Sequence, residues 1–155
     1  MEKPLIVRSP EAELLDADPS ATVTLLADTA TATANRSRFA AGANGAPPHF
    51  HTKATELFFV VSGSLDVLLD QEVRTLAEGD FLLVPPGVHH AFGATSGKDA
   101  DVLFVFTPGI GRFDYYRLLD RVQRGQADPA EIGASQDRFD NHYVDSPTWT
   151  RHRVG

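Results

Sequence analysis

The segment His49-Phe50-His51-Thr52-Lys53-Ala54-Thr55-Glu56 sets two imidazoles and a carboxylate close together in the chain. Residues two apart in an extended strand project to the same side, so His49 and His51 share a face. Glu56 returns to that face once a small irregularity shifts the phase. Beyond two hairpin-like strands, Pro85-Pro86-Gly87-Val88-His89-His90 offers a further donor where a strand re-enters the fold. Adjacent strand residues face opposite ways, so only one of His89 and His90 reaches the same point.

The chemistry of such a set is that of a divalent ion. Neutral imidazoles present nitrogen lone pairs, and one carboxylate offsets part of the ion's charge. Three histidines and a glutamate leave a site of net charge about +1, suited to an anion, with one or two positions free for water, dioxygen or a chelating ligand. Nickel, cobalt, manganese, iron, copper and zinc all accept these donors, and the affinity order alone does not choose among them.

Strands must position these groups. From Thr22 onward the runs VTLLA, TATANRSRF, ELFFVV, SLDVLL, VRTL, DFLLVP, VHHAF and DVLFVF are short and β-rich, with turn-forming residues between them. Strands at this spacing, with no βα crossover pattern among them, predict an antiparallel sandwich or closed barrel over residues 22–107. Ser62-Gly63-Ser64 and Asp70-Gln71-Glu72 are expected to be tight turns between antiparallel neighbours, and Pro85-Pro86-Gly87 forces another. Residues 1–21 read as an arm, with a short helix expected across Glu11 to Leu15. After Pro108-Gly109 the period changes. Tyr115, Leu118, Leu119 and Val122 draw one helical stripe that Gly125 ends, and Asp128-Pro129-Ala130-Glu131 signals a second helix start. Residues 108–155 are thus expected to form a helical lid and tail, irregular from Ser146 to Gly155 and anchored by Trp149. All 155 residues are read as one domain.

Composition narrows the function. Absence of cysteine excludes disulfide scaffolds, thiolate nucleophiles and cysteine-ligated metals. A net charge of −7, with no basic stripe, makes nucleic acid a poor partner. No apolar run is long enough to span a membrane, and a cytoplasmic location is the expectation. Asn35-Arg36-Ser37 fits a glycosylation acceptor, which matters only in a secreted protein.

These motifs resemble those of the cupin superfamily. His49, His51, Glu56 and Gly63 match the order of its first motif, and Gly79, Pro85, Gly87 and His90 match its second. The resemblance implies an all-β fold, the cupin-type antiparallel β-barrel (double-stranded β-helix, or jelly roll), with short C-terminal helices. It also implies the ligand set His49, His51, Glu56 and His90 for one divalent transition metal ion, selecting His90 over His89. Two positions depart from the pattern: Gly45 and Gly42 stand four and seven residues before His49 where a glycine six before is usual, and Ala94 replaces an asparagine.

The ending TPGIGRFDYYRLLDRV, followed by DPAEI, is similar to the tail of bacterial single-domain cupins related to quercetin 2,3-dioxygenase. That similarity implies a metal-dependent dioxygenase acting on a flavonol-like or other enolic or phenolic small molecule, with Glu56 as both ligand and base. Phe50, Phe58, Phe92 and Phe104 are then expected in the cavity walls, and Phe113, Tyr115 and Tyr116 in a lid. The alternatives are a metal-dependent isomerase or lyase, and a small-molecule binder without turnover. Cupins frequently pair, so a homodimer is expected, with the arm either exchanged or folded back.

Overall fold

The computed structural model describes all 155 residues. Ten strands and four helices follow in the order β1 (Leu14–Leu15), β2 (Ala21–Asp28), β3 (Thr33–Phe39), β4 (His49–Phe50), β5 (Thr55–Leu69), β6 (Glu72–Ala77), β7 (Phe81–Val84), β8 (His90–Ala94), β9 (Ala100–Thr107), α1 (Phe113–Gln123), α2 (Ala130–Ala134), α3 (Gln136–Phe139), β10 (His142–Tyr143) and α4 (Pro147–Val154). Every strand pairing is antiparallel. This is the all-β barrel that the run of short strands predicts, with short helices after it. No helix is long and apolar enough to cross a membrane.

Two sheets share β5. Its first half lies between β9 and β7, and its second half between β6 and β8. The chain passes from one sheet to the other at Ser62-Gly63-Ser64, which is therefore not a turn between strands. Gly63 takes a φ of 82°, the register against β9 shifts between Val60 and Ser62, and a side chain at Gly63 would meet the carbonyl of Asp99. The glycine lets one long strand kink rather than reverse, so the expected turn becomes a bulge. Asp70-Gln71 is a turn as expected, with Asp70 left-handed at a φ of 53°.

The core follows the period of two. In β9, Ala100, Val102, Phe104 and Phe106 are buried and alternate with half-exposed residues. Phe39, Phe58, Val60, Leu65, Val67 and Val84 meet them from the other strands. Asn35, in the acceptor sequence noted above, is 1% exposed within β3 and donates to Ser37 Oγ at 3.0 Å, so it is closed to glycosylation in the folded chain.

The ends of the chain differ from expectation in two places. Residues 11–15 are not a helix: a single 3-10 turn at Ser9–Glu11 leads into β1, which pairs with β2. The terminal segment is helical rather than irregular. Ser146 caps α4 by accepting from Trp149 N at 3.2 Å, and Pro147 sits at its first turn. Its apolar content is too low to announce a helix, because only Trp149 among its residues is buried, against Leu68 and Ala91. Tail and barrel are also joined by Arg153, which donates to the carbonyls of Ala94, Gly42 and Ala43. The two earlier helices appear where their signals lie: Gly125 follows α1 with a φ of 71°, and before α2 Asp128 Oδ1 accepts from Ala130 N while Glu131 Oε2 accepts from Asp128 N.

Candidate metal centre

Two short ladders on β4 and the start of β5 bring the proposed ligands together. His49 lies opposite His90 across β4 and β8, and Tyr143 of β10 lies opposite His49 on the other side. Glu56 enters from the start of β5, and His51 from the loop just after β4. The ligand atoms of His49, His51, Glu56 and His90 all lie within 4.8 Å of one another, and each residue is no more than 2% exposed. His89 points away and stacks on Phe50. Gly45 supports this arrangement at close range: it donates to Phe92 O at 3.0 Å, and any side chain there would strike the Phe92 ring.

The hydrogen bonds around the cluster decide which nitrogen each ring offers. Nδ1 faces a backbone carbonyl in all three rings: Pro47 O at 2.7 Å from His49, Asp140 O at 2.7 Å from His51, and Val88 O at 2.9 Å from His90. A carbonyl can only accept, so each Nδ1 carries a hydrogen, and Nε2 is the nitrogen each ring turns inward as a candidate ligand atom. Two of these, on His51 and His90, lie 3.1 and 2.7 Å from the same Glu56 Oε2. Lone pairs and an anionic oxygen converging in a buried space repel one another unless a cation joins them. The residues therefore fit a divalent ion, with donors of the type expected for nickel, cobalt, manganese, iron, copper or zinc.

Electrostatics call for positive charge at this point. Burial opposes charge on Glu56, but positive charge on the His90 and His51 side, with their hydrogen bonds to it, outweighs burial and holds the carboxyl well below the usual range, so it is ionised at neutral pH. A divalent ion among the Nε2 atoms would supply that charge when the rings carry no second proton. Burial, with His90 and His51 adding to it, keeps His49 well below the usual imidazole range and hence neutral.

The centre opens into a cavity of about 480 Å³ lined by His49 and Glu56 at one end and by residues of β2, β3 and α1 further out. Phe92 and Phe104 line it as expected, and Tyr115 and Tyr116 line it as well. Phe50, Phe58 and Phe113 do not. Phe50 is sandwiched by His89 and His142, Phe58 packs beneath the site against Phe92 and Phe104, and the Phe113 ring receives Arg117. The strand alternation that sends His49 and His51 inward necessarily sends Phe50 out.

Sequence patterns alone give no sign of two residues that matter here. Asp140, left-handed at a φ of 51° after α3, offers its carbonyl to His51, and its carboxylate accepts from Thr52 N, Thr52 Oγ1 and Lys53 N. Arg112, just before α1, is 4% exposed and lines the cavity. Glycines on both sides of Ile110 mark a turn before Arg112, but nothing nearby in the chain signals that the arginine turns inward.

With the site described, comparison with known proteins places the fold. The Cupin domain family matches residues 35–106, which include all four proposed ligands. The chain carries a cupin domain. Among curated relatives, an uncharacterised protein of Aquifex aeolicus is 31% identical over 71 residues, covering 46% of this chain and 58% of its own. Protein SchB of Streptomyces halstedii is 30% identical over 84 residues, covering 54% and 60%. The chain thus spans somewhat less than two thirds of the length of these relatives. Among solved structures, KdgF from Halomonas sp. superposes with a TM-score of 0.63 at 27% identity, over 73% of this chain and 99% of its own. An RmlC-like cupin from Shewanella frigidimarina gives 0.58 at 19% identity, over 73% and 96%, and shares the fold.

Proposed function

We propose that this cupin is a metal-dependent enzyme acting on a small enolic or phenolic molecule, with dioxygenation of a flavonol-like substrate as its reaction. The observation that carries the reading is the grouping of four buried side chains of ligand type, two of which, His49 and Glu56, line a cavity shared with Phe92, Phe104, Tyr115 and Tyr116. A bound divalent ion would polarise a substrate oxygen and, if redox-active, would support reaction with dioxygen. The chain supplies the rest. Phe92 and Phe104 give an apolar wall for a ring, and Tyr115 and Tyr116 of α1, which line the same cavity, serve in this reading to shield it from water. Glu56, ionised and facing the cavity, accepts the hydroxyl proton as the substrate oxygen becomes anionic. That role requires Glu56 to loosen its hold on the ion while it carries the proton. The protein is further proposed to act as a homodimer.

Oxygen-electrode assays of protein loaded with each candidate metal, against a panel of flavonols and simpler enols and phenols, test the reading. Substrate-dependent oxygen uptake, with both atoms of labelled dioxygen recovered in product, supports it. Conversion without oxygen uptake instead indicates an isomerase or lyase, in which the ion acts only as a Lewis acid, and tight binding without conversion indicates a binding protein.

A further inference from the structure

Arg112 is a buried cation with no carboxylate within ion-pair distance; Glu56, the carboxylate that acts on it across the cavity, belongs to the metal centre. Its guanidinium lies 4.9, 4.2 and 5.3 Å from the ring centres of Phe106, Tyr115 and Tyr116, which offset part of the cost of burying its charge. Its hydrogen bond from Nη1 goes to Asn141 Oδ1 at 3.2 Å, a neutral acceptor, while Nε has no partner and neither has Nδ2 of the equally buried Asn141. Buried donors are rarely left unmatched, and a buried charge is normally paired.

The surroundings of Arg112 are those of a receptor for one end of a ligand. It lines the same cavity as Glu56 and His49. Around it, Tyr116 donates its hydroxyl to Asn35 Oδ1 at 3.0 Å, and the hydroxyls of Tyr115 and Tyr143 bond to each other. In that pair one hydrogen bridges the two oxygens and the second is free to point at a ligand. The cavity's outer acids do not compete for the guanidinium: Asp120 is held by Ala17 N and Arg124 Nε, and Asp18 by Ser20.

We infer that the substrate carries a carboxylate, which Arg112 binds through its planar fork while the ring lies along the aromatic wall and an oxygen at the other end reaches the metal centre. The inference rests on the reading of this cavity as an enzyme's substrate site and narrows it, since a simple flavonol has no carboxylate to offer. A guanidinium matches a carboxylate in shape as well as charge. With the ion in place, Arg112 adds a second positive charge to a cavity already positive by about one unit, so an anionic substrate is favoured at both of its ends.

Calorimetric titration with benzoate and its uncharged isostere benzamide tests the inference, on the protein as purified and after removal of metal by a chelator. Benzoate is expected to bind both preparations at least about tenfold more tightly than benzamide, and Arg112→Met to remove that preference, as loss of a charge-assisted hydrogen bond does. Arg112→Lys, which keeps the charge but not the fork, should restore part of it. Equal affinity for the two probes, or no binding of benzoate at millimolar concentration, overturns the inference. The comparison in the unaltered protein stands even if a variant does not fold. Because the preference is read without metal, a protein that holds no ion but still selects benzoate keeps the anion site and loses the metalloenzyme reading, while the reverse result does the opposite.

Discussion

Each of the three imidazoles at the centre has spent its Nδ1 hydrogen on a backbone carbonyl, and the carbonyl that fixes His51 belongs to Asp140, far along the chain. That residue holds a left-handed backbone and ties down the loop that carries His51 through Thr52 and Lys53. Asp140→Ala should therefore lower metal affinity by about 10-fold or more, as loss of outer partners does, and a chelator competition would measure it. Unchanged affinity would show that the loop holds His51 without help. The ligands themselves are legible in the sequence because a period of two and a fixed motif spacing are local facts. Asp140 and Arg112 are not, because what makes them matter is the return of the tail across the barrel mouth, which no local pattern encodes.

Elements show the same division. The strands and α1 announce themselves by their apolar period, whereas Ser62-Gly63-Ser64 looks like a turn and is a bulge, since only pairing with β9 carries the strand through it. Helix α4 is hidden for the opposite reason: it has one buried side chain and is held by contacts with the barrel. Trp149→Ala should cost about 3–5 kcal/mol and lower Tm by roughly 6–20 °C in a thermal melt. The docking of α4 also makes stability depend on pH. Burial raises the pKa of Asp66, but hydrogen bonds from His152, Thr75 and Thr95, each at 2.8 Å, outweigh it and hold the carboxyl below its ordinary value of 3.8. A depressed pKa contributes stability that is complete above the unfolded value and fades as pH falls through the folded one. Asp66→Asn should accordingly be less stable than the unaltered protein at neutral pH and close the gap below about pH 4, as denaturant titrations across that range would show.

At the scale of the whole molecule, a barrel with a free edge and an apolar arm asks for a partner. Strand β7 pairs only with β5, and Phe81 and Leu83 on it, with Phe59 beside them, are 61, 50 and 42% exposed. Leu5 and Ile6 of the arm are likewise exposed, although Glu2 accepts from Thr31 and lays the start of the arm along the β2–β3 hairpin. A second copy of the chain, with its arm along this edge, would cover both surfaces. Light scattering should accordingly give twice the mass of one chain, and Phe81→Glu or removal of residues 1–8 should shift it to one; a monomeric unaltered protein would refute the dimer. The central claim concerns the ion at the end of the cavity. Elemental analysis of protein purified without added metal, beside an equally pure His51→Ala sample, tests it most directly. The account predicts about one equivalent of a divalent transition metal per chain, lost in the variant. Protein that carries no metal and takes up none on titration would contradict it.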